Sequence, residues 1–576
     1  MRKSILLAFI ASIALVACDK GAQEAVAPVA EEKQPWAEFA ANVIDEYYRL
    51  NPESAVDAGL HQYDGQMSDM SAASIAAYGD WLAATIAEAQ SYSDLEGIEA
   101  FERDYLSSSL SGQLFFARES GFPQSNPLTY ASSIGISVYT DREYAPLDQR
   151  LQAYTTYIAQ VPALLGQMQD NLQPPLPAPY VEMGHRVFSG LVEYLSTTVP
   201  EIFAGVEDEQ LQRQFTAAND AAVDAIKQSV VWLEGLKATA TDDFALGEER
   251  FLKMLKTGQG VDVTLAELKA AGQKNLDANL ETLHEACAEF APGESTQACV
   301  AKVTANKPEG GAVAGARAQL PMLKQFVIDN NIASIPGTED ALVDEAPPHR
   351  RFNFAYINIP GPFETGMPST YFIAPPDPEW SEEDQLAYIP GEADLLAVSV
   401  HEVWPGHFLQ YLHSNRTQNN VGQHFGTYTF SEGWAHYTEQ MMVDAGLGDG
   451  DPEVRIGQLL NALLRNVRYM SAIGLHTEGM TVEESQKMFE EKAFQDFGNA
   501  SQQAYRGTYD PGYLNYTLGK LMINKLRDDW TEGRGGREAW GKFHDQFLSY
   551  GVPPIPLIRE QMLGEDYDGD GAILPN

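Results

Sequence analysis

Apolar positions along this chain recur mostly at the helical period. In WAEFAANVIDEYYRL, Phe39, Val43, Ile44, Tyr47 and Leu50 share one face of a helix. Stretches of the same period lie around 72–92, 97–117, 143–170, 185–196 and 207–238, and they predict helices packed on helices. The proline-rich QPPLPAP, Gln173 to Pro179, interrupts them and reads as an inter-helix turn rather than a ligand for proline-binding modules. Thr264-Leu-Ala-Glu267 fits a capping box, and the helix it opens turns Leu265, Leu268, Leu276, Leu280 and Leu283 inward. That helix is expected to end before a loop running from Cys287 to Cys299. No fixed repeat of solenoid length is visible.

Around 352–374 the period changes. FNFAYINI and STYFIA are short, aromatic and β-branched, and Pro360-Gly361-Pro362 and Gly366-Met367-Pro368 separate them. They predict a small hairpin or edge pair, which can receive a peptide as an added strand or serve as a plain structural flap. From about 391 helices return: one running into His401, then 428–445, 452–475, 481–497, 514–530 and 536–549, with a second capping box at Thr481 to Glu484. The expected class is mainly α, two-lobed, with a small hairpin or edge sheet beside a cleft. A helical lobe over 36–350 would precede a catalytic lobe over 351–563 and an acidic tail over 564–576.

Composition narrows the setting. With 576 residues, 44% of them hydrophobic, the chain can bury a large core. Its 38 basic and 81 acidic residues give a net charge of −43, which argues against nucleic acid or an anionic membrane surface as partner. Met1-Arg2-Lys3, the mostly apolar run Ile5 to Ala17 and then Cys18 have the layout of an export signal too short to span a bilayer. Leu15-Val16-Ala17-Cys18 resembles a bacterial lipobox, which implies a signal peptide over 1–17, lipid on Cys18, a flexible tether over 18–35 and a periplasm-facing anchor in the cell envelope. In an exported chain, Cys287 and Cys299 are expected to form a disulfide.

The candidate chemistry is concentrated in one place. Five of the eleven histidines lie between His401 and His436, starting with HEVWPGH, His401 to His407, and continuing to SEGWAHYTE, which contains Glu432. Two imidazoles and a distal carboxylate suit zinc, and Glu402, beside the first imidazole, suits activation of water. Zinc motifs of the HExxH kind place their histidines four residues apart on one helical face. Here the spacing is six, about 240° around a regular helix. Pro405-Gly406 allows the helix to bulge or break and swing His407 back. Glu432, His436 and Glu439 follow at i, i+4 and i+7 and point one way.

HEVWPGHFLQ, SEGWAHYTEQ, LLRNVRYMSAIGLHTEGMTVEE, DPGYLNYTLGKLMINKLR and FHDQFLSYGVPP together resemble a large bacterial family that carries a domain of unknown function with HExxPGH and EGWAxYxE signatures. Many of its members are predicted lipoproteins, and it is similar, at a distance, to gluzincin metallopeptidases. The resemblance implies His401, His407 and Glu432 as ligands of one zinc ion and Glu402 as general base. Glu439 would orient a ligand from behind. His436 belongs to the same outer layer, although it stands where a leucine-like residue is more usual. Tyr513 and Tyr516 resemble tyrosines aimed at the oxyanion; Tyr516 is the stronger candidate and Tyr513 a substrate contact. His476 is a further candidate donor. Arg465 and Arg468, one turn apart, could clasp a substrate carboxylate or pair with local acids. Asp566, Asp568 and Asp570 match the first half of a calcium loop, but the chain ends before a twelfth-position glutamate, so an acidic tail explains them as well. The expected function is a lipid-anchored zinc metallopeptidase for short peptides. The alternatives are a metal-dependent amide or ester hydrolase and a non-catalytic binding lipoprotein.

Overall fold

The computed structural model describes residues 33–347, 350–351, 354–364, 366–564, 569 and 571–575. Cys18, the signal segment, and Asp566, Asp568 and Asp570 lie outside them. The architecture is mainly helical with one three-stranded sheet. The long helices start where the sequence supplies caps. Thr264 and Thr481 form reciprocal capping boxes with Glu267 and Glu484, and Asp208 and Asp451 accept amide hydrogens from the first turns they precede. The stretch around 143–170 is two helices, Leu147–Ile158 and Val161–Asn171. No helix among the described residues is long and apolar enough to cross a membrane.

Several expectations change in detail. The sheet contains β1 (Leu342–Glu345), β2 (Ala355–Asn358) and β3 (Thr370–Ile373), in the order β1-β3-β2. The β2–β3 pair is the antiparallel hairpin foreseen from its aromatic residues. β1 lies parallel to β3 and escaped notice because Leu-Val-Asp-Glu is largely exposed and has no apolar alternation. The Cys287–Cys299 disulfide is present, but it staples two helices rather than closing a loop, since Leu265–Phe290 continues past Cys287 and Cys299 lies within Thr296–Ala305. A further helix, Phe497–Tyr509, follows Val482–Lys492 where one had been expected to end. Its buried face, Ala500, Gln503, Ala504, Gly507 and Thr508, follows the helical period but is built of small and polar residues, so no run of large apolar side chains marks it.

Three apolar clusters support the fold. One gathers helices between Trp36 and Leu110, a second runs from Tyr130 to Leu233, and the largest joins Phe251, Leu283 and Val327 to Trp404, Trp434 and Phe547, residues on both sides of position 350. Within the largest, helices Tyr428–Asp444 and Asn515–Thr531 touch backbone to backbone. A Cβ on Gly433 would lie 2.5 Å from the Cα of Gly519, and one on Gly519 would lie 1.9 Å from the Thr429 carbonyl oxygen. Between the clusters runs a cleft of about 3180 Å³, lined by Tyr48, Arg186, β2 and residues of helix Phe497–Tyr509.

Candidate metal centre

The helix Glu392–Glu402 ends with HE, and a new helix, His407–Ser414, begins at the second histidine of the motif. The regular helix that would have separated the imidazoles is broken. Between the two, the chain folds back on the last turn, the Trp404–Pro405 peptide is cis, and the Gly406 amide donates to the Val400 carbonyl at 3.0 Å. Only glycine fits there, because a Cβ would lie 1.8 Å from the His401 carbonyl oxygen. The second motif secures the turn: the buried Trp434 indole N–H donates to the Pro405 carbonyl at 2.9 Å.

This fold-back brings the imidazoles together, with ring centroids 4.8 Å apart at 88°. Glu432 Oε2 lies 3.3 Å from His401 Nε2 and 3.4 Å from His407 Nε2. Candidate ligand atoms of these three residues all lie within 4.8 Å of one another. His401 is oriented from behind, since its Nδ1 lies 2.7 Å from Glu439 Oε1, a contact that turns Nε2 toward Glu432. Glu439 is fully buried and also pairs with Arg465 Nη2 at 3.2 Å and His436 Nδ1 at 3.2 Å. Burial opposes its ionisation, but Arg465, His436 and His401 outweigh burial and hold its pKa below the usual carboxylate range. Burial, reinforced by the cation of Lys520, pushes His436 down to about 3, so it is neutral at Glu439.

Glu402 stands on the cleft side of this cluster, where its Oε2 accepts the Ile357 amide of β2 at 3.1 Å. Tyr516 lies near-parallel to His401, with ring centroids 6.3 Å apart, and the guanidinium carbons of Arg468, Arg465 and Arg506 lie 5.0, 5.7 and 5.9 Å from its ring. Arg506, which sequence reasoning missed with its helix, bonds Asp510 and the Tyr428 hydroxyl.

Two expected roles need correction. His476 is 1% exposed and both its ring nitrogens are taken by backbone: Nε2–H donates to the Gly507 carbonyl at 2.8 Å and Nδ1 accepts the Leu246 amide at 3.3 Å. It ties segments together and has no nitrogen left for a substrate. Tyr513 is fully buried and lines no part of the cleft. Arg465 takes the second of the two uses expected for it, pairing with a local acid: Glu439 and the Asn461 carbonyl and side chain engage it.

His544 resembles His476: its Nε2 accepts the Tyr437 hydroxyl at 2.7 Å and Nδ1–H donates to the Ile332 carbonyl at 2.6 Å. Burial lowers the pKa of His476 to about 4 and of His544 to about 3. An unfolded histidine titrates near 6.5, so above that pH neither state is protonated and the full stability is present. As pH falls below 6.5 the unfolded chain takes up protons that the folded one refuses. Each residue should therefore withdraw stability of roughly 2 kcal/mol between pH 6.5 and 5. Urea titrations at pH 7 and pH 5 test this. An unchanged midpoint would show that the folded protein accommodates both imidazolium ions.

A solved structure described as a candidate lipoprotein of unknown function from Shewanella oneidensis is 24% identical, with TM-score 0.78, covering 92% of this chain and 100% of that one. A second candidate lipoprotein, from Colwellia psychrerythraea, is 16% identical, with TM-score 0.76, covering 92% and 98%. At these identities the likeness shows a shared fold. No curated protein matches the chain. Over residues 52–562 the sequence matches the family described as "Bacterial protein of unknown function (DUF885)", and the chain belongs to that family.

Proposed function

We propose that this protein is a zinc-dependent hydrolase, a metallopeptidase acting on short peptides, tethered to the cell envelope through lipid on Cys18. One observation carries the reading: His401 Nε2, His407 Nε2 and Glu432 Oε2 converge, while Glu402, adjacent in sequence, stays outside the trio and faces the cleft. A purely structural site needs no water-activating carboxylate beside its three ligands. The donor set fits zinc. It has two imidazole nitrogens and one carboxylate oxygen, Glu439 at His401 Nδ1 to favour the tautomer that frees Nε2, and Glu432 Oε2 buried with no hydrogen-bond donor. When bound, zinc supplies a Lewis acid that acidifies water and polarises a carbonyl.

The chain's own groups do the rest. Glu402 accepts a proton from the attacking water and returns it to the leaving nitrogen, so one C–O bond forms and one C–N bond breaks without a further reactant. Tyr516, beside His401, offers a phenol O–H to the oxygen that gains charge. β2 is an edge strand with β3 on one side and the cleft on the other, so its outer backbone groups can hold an extended peptide beside Glu402. Glu439, His436 and Arg465 keep His401 in register.

Elemental analysis of the purified protein, combined with a peptide-library cleavage screen, tests the proposal. About one zinc per chain is expected, and His407→Ala should lose it while the far-ultraviolet dichroism stays helical. Full zinc occupancy in that variant would refute the ligand set. Zinc without turnover of any peptide would favour a binding lipoprotein.

A further inference from the structure

Among the described residues, Arg468 is the one arginine beside Tyr516 without an acid. Arg465 is paired with Glu439, and Arg506 with Asp510 at 2.9 Å. Arg468 Nε donates to Gln503 Oε1 at 2.8 Å, and among the described residues no carboxylate lies within ion-pair distance of its guanidinium. It is 8% exposed, and that remainder opens on the cleft. A guanidinium withdrawn from water without a counter-charge is costly to keep. The cost has no compositional excuse in a chain with 81 acidic and 38 basic residues. The neighbouring Arg506 adds repulsion, and burial together with that repulsion lowers the Arg468 pKa.

Position gives the isolated charge a use. The guanidinium carbon lies 5.0 Å from the Tyr516 ring, whose centroid is 6.3 Å from that of His401. Taken in series, these contacts put it within about three residues of extended chain from the candidate metal ligand. With Nε held by Gln503, the two Nη groups remain for a forked, bidentate contact with one carboxylate. Lysine could not make that contact, and an uncharged amide terminus would leave the cation unpaired.

We infer that Arg468 anchors the free C-terminal carboxylate of a peptide, so that the hydrolase works as an exopeptidase releasing at most a few residues from that end. The inference rests on the peptidase reading above and restricts its substrate. A carboxylate could also be presented by an aspartate or glutamate side chain within a longer substrate, and the test separates the two.

The full-length Glu402→Gln protein, which should bind without turning over, is titrated by calorimetry with three N-acetylated tripeptides. One ends in a free carboxylate. The second is its C-terminal amide. The third is an amide carrying glutamate at the middle position. The free acid should bind about ten- to a hundredfold tighter than its amide, the range expected for charge-assisted hydrogen bonds, and the glutamate amide should bind like the plain amide. Arg468→Met in the same background should erase the acid–amide difference, and Arg468→Lys should restore it only in part. Equal binding of acid and amide, or no binding of any of the three, overturns the inference, and neither observation requires a substitution at 468. Tight binding of the glutamate amide assigns the site to a side chain and overturns the exopeptidase assignment. Turnover of the free acid by the wild-type protein is a separate readout. If it is absent while the acid–amide difference persists, the hydrolase reading fails and the carboxylate site stands.

Discussion

Glu402→Gln will lower turnover by roughly two to four orders of magnitude once a substrate is identified, because general-base catalysis typically contributes that much. Glutamine preserves the shape and can still accept the Ile357 amide through its carbonyl oxygen, so β2 keeps its attachment. The replaced group is outside the converging trio, so zinc content should match the wild type. The loss should appear in kcat, with KM nearly unchanged, since a carboxamide cannot take the proton yet still fills the space. A Glu402→Gln protein that keeps the wild-type rate would show that HEVWPGH is not the catalytic motif, and the binding-lipoprotein reading would take its place.

Tyr516→Phe should cost about two orders of magnitude or more in kcat, the usual loss when one oxyanion donor is removed. The ring itself fills space against Tyr428 and the three guanidiniums, and phenylalanine retains that packing. Burial, and next the Glu432 charge, raises the Tyr516 pKa while the surrounding arginines oppose them, so the phenol keeps its proton at neutral pH and remains a donor. Single-turnover kinetics with the same substrate separate this effect from binding. A loss confined to KM would mean that Tyr516 only holds the substrate.

Where patterns are local, the chain could be read directly. Capped helices such as Leu265–Phe290 and the β2–β3 pair follow from periodicity and end signals. The trio His401, His407 and Glu432 was legible because imidazoles and acids crowd one short segment, and Pro405-Gly406 announced the break between them. What stayed hidden depends on distant pairing. Nothing near His476 says that its two nitrogens meet Gly507 and Leu246, and nothing near Arg465 says that Asn461 and Glu439 share its donors. Arg468 and Arg465 look equivalent in sequence, one turn apart, and only the fold separates the occupied cation from the isolated one. The helix bearing Arg506 and Gln503 was missed because the stripe it buries consists of alanine, glycine, glutamine and threonine, which a search for large apolar side chains passes over.

Gly433 and Gly519 give the candidate site an unusual kind of insulation. Helix Tyr428–Asp444 carries Glu432 and helix Asn515–Thr531 carries Tyr516, and where they cross, main chain meets main chain with no side chain between. The gap between a carboxylate and a phenol is therefore gauged by the thickness of the polypeptide itself. Rotamer changes elsewhere in the core cannot widen it, so the surrounding apolar residues are free to drift without altering that spacing. At the crossing that tolerance ends: a single methyl would act as a shim, prising Tyr516 away from Glu432 from a position buried away from water.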